Sequence, residues 1–368
     1  LSYVNDDYVN YCLAADRFRD FPFWRIPTME ELAGTDISHY YWFMHVPGLM
    51  RFGSEHVVAW MSAVTGIKTL GIFMPVIVGL GLIQLFAAAS LVLHRGRWRR
   101  QALIATALLA VSPLFMLGTL YQLIAQVGGL ALLLAATAVL TGQLPATRRR
   151  IIPHAIALSV LGAALAVYYP EVTPFAVLTA GVLGLIEWAR TRTFPLPRLG
   201  LVIYGILGVI VLLRFNVLSY LFTISNQFGS GFRSVDLSLS LFPYFLIPTG
   251  LANLFGLMPL SVNFAEPYTS ITIVAGGLAL ITALAFAVRE SARSAAPAAI
   301  LLLVQFALAL RLLTSGNDFG LYKVAMFMQP ALAAALALAL LKVPAPRWFA
   351  AAGVLLVAAA CAPTALYY

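Results

Sequence analysis

Apolar runs of about 16 to 24 residues recur along the chain between short polar breaks, the length a helix needs to cross a hydrocarbon core of about 30 Å. The runs do not alternate with a period of two over roughly ten residues, so the strands of a membrane barrel are not expected. About ten spans are predicted, at Leu70 to Leu93, Ala102 to Leu120, Leu123 to Leu140, Ile152 to Tyr168, Pro174 to Trp188, Leu199 to Leu213, Ile271 to Val288, Ala296 to Leu313, Tyr322 to Leu341 and Phe349 to Leu366. The Leu120-Tyr121-Gln122 break reads either as a tight turn or as a kink. The pattern divides the chain into an opening segment (1–69), a first helical block (70–213), a long connection (214–270) and a second helical block (271–368).

Neither long polar-interrupted segment reads as a loose loop. In the first, Tyr8, Tyr11, Cys12, Ala15 and Phe18 recur at helical spacing while Asp6, Asn10, Asp16, Arg17 and Asp20 fall elsewhere. That is the signature of an amphipathic helix lying along a membrane interface. Pro27, Glu30 and Glu31 begin a second unit, and HYYWFMHVPGLMRFG is dense in aromatics of the kind that settle at headgroup level. The segment from Arg214 to Ser270 is too apolar for a soluble linker and too interrupted by Gly and Pro for one clean span. Re-entrant or interfacial helices are expected there.

Composition sharpens this picture. Hydrophobic residues make up 61% of the 368, charged residues 10%, and mean hydropathy is +0.91, values that exclude a water-soluble fold of this size. An all-α polytopic membrane protein is the expected class. The net charge of +9 raises the question of nucleic acid, and the distribution of charge answers it. Fourteen of the 23 Lys and Arg, against only Glu187 and Glu290, lie in five short connections around HRGRWRR, TRRR, ARTRTFPLPR, VRESAR and KVPAPR. All five fall on one side of an alternating threading, the pattern of cytoplasmic loops. The basic charge is topology, and no nucleic-acid partner is expected. This threading puts residues 1–69 on the extracytoplasmic side of a cytoplasmic membrane, and such a start implies a span or a removed signal segment ahead of Leu1.

The polar groups that need a reason lie on that same side. Asp6 and Asp7 open the first amphipathic helix, where they serve either to charge its N-terminus or as a base that removes a proton from an attacking hydroxyl. Glu171 stands in VYYPEVTPF between two prolines at a membrane boundary, where an ionisable group marks either a site or a structural ion pair. SGNDFGLYKVAMFMQP places Asn317, Asp318, Tyr322 and Lys323 at the start of a span, a helix N-terminus with a cation one turn in that suits a phosphate. Arg311, Arg214 and Arg233 add outer-side cations against the positive-inside bias. His39, His45 and His56 read as structural or substrate-lining, with Glu55-His56 the one pairing of note. Cys12 and Cys361 read as unpaired thiols, and no metal-ligand or nucleotide-binding spacing occurs.

Together, NDDYVNYCLAADRF, the aromatic first outer segment, YYPE at a later outer turn and NDFGLYK opening a late span resemble the GT-C integral membrane glycosyltransferases that use polyprenyl-phosphate-linked sugars. The resemblance implies a GT-C-like fold with Asp6 and Asp7 as the catalytic acids, the first of them the base. It implies that outer-side cations, Lys323 with Arg311 or Arg233, bind the donor phosphate, and that Glu171, Tyr322, Asp318 and His56 line the donor and acceptor cavity. The implied reaction moves a sugar from a polyprenyl-phosphate donor to a hydroxyl of a glycan, lipid or protein, with inversion. A divalent cation (Mg or Mn) held by Asp6, Asp7 or Glu171 is an open point, because no complete ligand set is visible. Two other readings stand beside this one: a transporter or lipid flippase, which favours ionisable groups at the bilayer midplane, and an O-antigen ligase or polymerase type of enzyme, which leans on outer-side Arg.

Overall fold

The computed structural model describes residues 6–46, 51–93, 99–142, 148–214, 216–231, 245–260, 262–340, 355, 357–364 and 366; the side chains of residues 6, 148–150, 227, 228, 230 and 231 are outside the description. Among the described residues every regular element is helical. The opening segment holds α1 (Asp6–Asp20), α2 (Met29–Ala33), α3 (Tyr41–His45) and α4 (Gly53–Thr65), and the first block α5 (Thr69–Val92), α6 (Arg99–Ala110), α7 (Pro113–Leu120), α8 (Ile124–Thr141), α9 (Arg148–Tyr168), α10 (Thr173–Thr191) and α11 (Leu196–Leu213). The connection contributes α12 (Asn216–Gly231) and α13 (Thr249–Leu254). The second block contributes α14 (Tyr268–Ser294), α15 (Pro297–Thr314) and α16 (Asp318–Leu340).

Among the described residues, eight helices are long and apolar enough to span a membrane, or nine with α6 and α7 counted as one. The second expected span is therefore not continuous. The Ser112-Pro113 step bends it by 58°, because proline removes a helical N–H and Ser112 starts a new helix by accepting from the Phe115 amide. The bend is braced: Ser112 Oγ donates to Gln329 Oε1 at 2.8 Å, and Gln329 Nε2 donates to the Leu254 carbonyl at 3.0 Å. The 120–122 break is a tight turn in which Gln122 adopts φ +61°. Of the expected tenth span, residues 357–364 are helical and the rest is largely outside the description, as is Arg233.

The centre of the bundle is α16, packed against α15, α6, α5 and α14, with α5 and α8 paired beside it. Its faces are lined with Ala, which lets neighbouring helices approach closely. By contrast α11 and α14 leave Ile, Leu and Val exposed along most of their length, as lipid-facing helices do. The basic connections that are described, between α10 and α11 and between α14 and α15, lie at one end of this threading; the opposite end carries the opening segment.

There α1 buries Cys12 and Ala15 against Val58, Phe73 and Ile77, with Tyr8, Tyr11 and Phe18 around them, so the expected amphipathic face is the packed one. Burial pushes the Cys12 thiol up to about 12, and neither cysteine is in a disulfide. A capping box starts α2, with Thr28 Oγ1 accepting from the Glu31 amide and Glu31 accepting from the Thr28 amide. The same Glu31 pairs with Arg25 at 2.5 Å.

Candidate functional site

Four segments remote in sequence converge at the end opposite the basic connections. The first fixed point is backbone: the Phe52 amide donates to the Val167 carbonyl at 3.2 Å, tying the start of α4 to the end of α9. Gly53 permits this approach, since a Cβ there would fall 2.8 Å from the Tyr168 Cα. On the other side of the 168–172 turn, Gly128 and Gly129 make room for the rings of Tyr168 and Tyr169. The turn is thereby clamped between α4 and α8, and it presents Tyr169 and Glu171.

Arg51, one residue ahead of this clamp, forms an ion pair with Glu171 Oε1. Its guanidinium lies 4.9 Å over the Tyr169 ring and within electrostatic reach of the Tyr11 hydroxyl from α1. Burial works against its charge, but Glu171, Tyr11 and Tyr169 more than offset that, so Arg51 is held protonated above its ordinary range. The second carboxylate oxygen of Glu171, Oε2, is buried and accepts no hydrogen bond among the described residues.

Lys323 completes the group from the first turn of α16. It lies 4.7 Å over the Phe319 ring, makes no ion pair among the described residues, and is within electrostatic reach of Arg51, Glu171 and Asp7. Asp7 is exposed and also acts on Tyr11. The first turn of α16 is capped by Asn317, whose Oδ1 accepts from the Gly320 amide at 2.7 Å, and not by Asp318, which is buried. Tyr322 is buried beside Phe245 and is within electrostatic reach of Tyr169.

The structure thus brings together Asp7, Glu171, Tyr322 and Lys323 from the sequence reading, and adds Arg51, Tyr11 and Tyr169. Asp6 begins α1, but its side chain lies outside the description. Arg311 is exposed at the end of α15 and donates to Thr314 Oγ1 at 3.4 Å. His56 is set apart in an aromatic cage of Phe18, Phe23 and Phe52, with its Nδ1 2.9 Å from the Phe52 carbonyl. Burial holds it below the ordinary histidine range. Its neighbour Glu55 points inward: Ser54 Oγ donates to it at 2.6 Å, His45 Nε2 lies 3.7 Å away, and burial raises its pKa.

No group of three or more His, Cys, Asp or Glu side chains gathers as a metal site among the described residues. The charge of Glu171 is balanced by Arg51, and Asp7 is exposed. Arg51 carried one signal in the sequence, a cation in an aromatic outer segment against the positive-inside bias. Tyr169 sits within the YYPE stretch.

Compared with family models, curated proteins and solved structures, the chain matches none of them.

Proposed function

We propose that this protein is a GT-C-type glycosyltransferase that moves a sugar from a polyprenyl-phosphate-linked donor to a hydroxyl acceptor at the extracytoplasmic face of the cytoplasmic membrane. The observation that carries the reading is that an exposed carboxylate, Asp7, and the Arg51–Glu171 pair both lie within electrostatic reach of Lys323, at the bundle end opposite the basic connections. A lipid phosphate is a good leaving group and needs charge stabilisation, whereas an acceptor hydroxyl needs a base.

In the proposed reaction the acceptor oxygen attacks the anomeric carbon while the aspartate pair, Asp6 and Asp7, takes the hydroxyl proton. The bond from that carbon to the phosphate oxygen breaks, its electron pair leaves with the polyprenyl phosphate, and attack from the opposite face inverts the centre. Lys323 meets the charge that develops on the phosphate. Arg51, held in place by Glu171 and Tyr169, backs it. No step is routed through a divalent cation.

The test is transfer of a radiolabelled sugar from polyprenyl-phosphate donors in membranes carrying the full-length protein. Asp6→Asn and Asp7→Asn are compared with wild type at matched expression. Loss of about 10²- to 10⁴-fold in at least one variant, with donor binding retained, is the expected result. Full transfer in both would reduce the pair to helix charging and end the reading.

One observation favours a transporter instead: the bent α6–α7 pair, braced by Gln329, places broken helix inside the bundle. Sugar or lipid uptake into proteoliposomes, with no covalent product, would select it.

A further inference from the structure

The helices α10 and α11 are consecutive, yet α11 packs on α9 while α10 packs on α8 and α15. The two diverge from the 192–195 turn and leave a groove of about 260 Å³ between them. Its α10 wall is a single stripe from Val177 through Gly181 and Gly184 to Trp188. Eleven residues of helix rise about 16 Å, which is half of a hydrocarbon core of about 30 Å. The groove therefore has the length of one leaflet.

Two glycines hollow it. A Cβ at Gly181 would have no atom within 4 Å, and one at Gly184 would meet only Pro195 Cγ at 3.7 Å. The buried Arg198 on its α11 wall does not make the interior polar. It is bonded to both oxygens of Glu187 at 2.9 and 3.0 Å and donates to the Leu140 carbonyl, so its charge is satisfied within the protein.

The mouth differs from the interior. Trp188 and Phe194 are exposed there at the level of the basic connections. Arg192, in the left-handed position that ends α10, is exposed and makes no ion pair among the described residues. Arg190 is taken up by the Ser291 and Ala292 carbonyls. Among the described residues of the final helical segment, Cys361 Sγ donates to the Phe255 carbonyl on the α13 side of the bundle.

We propose that this groove is a binding site for an anionic phospholipid. One acyl chain lies along the Gly181 and Gly184 trough, the Trp188 ring sits at headgroup level, and the phosphate is held by Arg192. An aromatic ring and an exposed cation at the end of a leaflet-long apolar trough match the two parts of such a lipid, and the cytoplasmic leaflet is the one rich in anionic lipid. The inference concerns the opposite end of the bundle and does not depend on the proposed sugar transfer.

The test is native mass spectrometry of the detergent-purified full chain, given equal amounts of dioleoyl phosphatidylglycerol and dioleoyl phosphatidylcholine. Wild type is expected to retain phosphatidylglycerol in preference. Gly181→Leu with Gly184→Leu fills the trough where the fold has room, so the adduct should vanish with the unfolding midpoint unchanged. Arg192→Gln should keep a lipid adduct but lose about fivefold in preference for phosphatidylglycerol. Undiminished phosphatidylglycerol in the filled variant, or unchanged preference in Arg192→Gln, overturns the proposal. So does loss of a dimer rather than of lipid in the filled variant, which would make the occupant a second copy of the chain.

Discussion

The Arg51–Glu171 pair can be weighed by a double-mutant cycle. Arg51→Met keeps the stem and removes the charge. Glu171 has a side chain only 10% exposed and an unbonded Oε2, so it would be left as an uncompensated buried carboxylate. That situation costs about 3–5 kcal/mol, and losing the cation over the Tyr169 ring adds about 0.5–2 kcal/mol. Glu171→Gln should cost less, about 1–3 kcal/mol, because Arg51 retains Tyr11 and a side chain 26% exposed. In the double variant neither buried charge remains, and the total should fall short of the summed single effects by at least about 1.5 kcal/mol. Unfolding of the detergent-solubilised protein by a denaturing surfactant measures all four corners. A coupling below about 0.5 kcal/mol would refute the reasoning, since Arg51 would then not be anchored where the phosphate reading needs it.

The other expectations are simpler to state. Lys323→Met should raise the KM for the lipid donor roughly 10- to 150-fold, the worth of a charge-assisted hydrogen bond of about 1.5–3 kcal/mol, with acceptor KM unchanged in a steady-state assay. Gly129→Ala puts a Cβ 2.3 Å from the Tyr169 Cβ, so it should destabilise by about 1–3 kcal/mol and lower transfer by shifting the ring under Arg51. Burial raises the Glu55 pKa, so the folded state holds its proton more tightly than the unfolded chain does. Stability should therefore fall as pH rises from about 4.3, the unfolded value, until the raised native pKa is passed. Melting curves in detergent between pH 4.5 and 8 should show that slope in wild type and a shallower one in Glu55→Gln.

The spans were legible because the bilayer imposes one length and one polarity on every crossing helix, and Leu, Val and Ala runs report both. The amphipathic face of α1 was legible for the same reason, its Tyr8, Tyr11, Cys12 and Ala15 spacing matching the buried side. What a one-dimensional pattern does not carry is proximity. Glu171 stood out as an acid at a membrane boundary, but its partner Arg51 lies 120 residues away. The pairing rests on Gly53, Gly128 and Gly129, whose missing side chains mean nothing until the opposing backbone and rings are seen. The bend at Ser112-Pro113 had a signal in the Ser-Pro step itself, but the apolar residues on both sides of it read as one span. Asn317 rather than Asp318 caps α16, because in a run of two capping residues the backbone geometry decides which faces the free amides.

The order in which these parts leave the ribosome follows from their positions. At roughly 5–20 residues per second, Glu171 is made about 6–24 s after Arg51, and Lys323 later still. A nascent chain stopped before α16 can join Arg51 to Glu171, but it lacks the last cation. On the proposed function, such a truncated product would hold the lipid donor roughly 10- to 150-fold more weakly than the chain that carries Lys323. Tight capture of the donor then waits on the synthesis of α16.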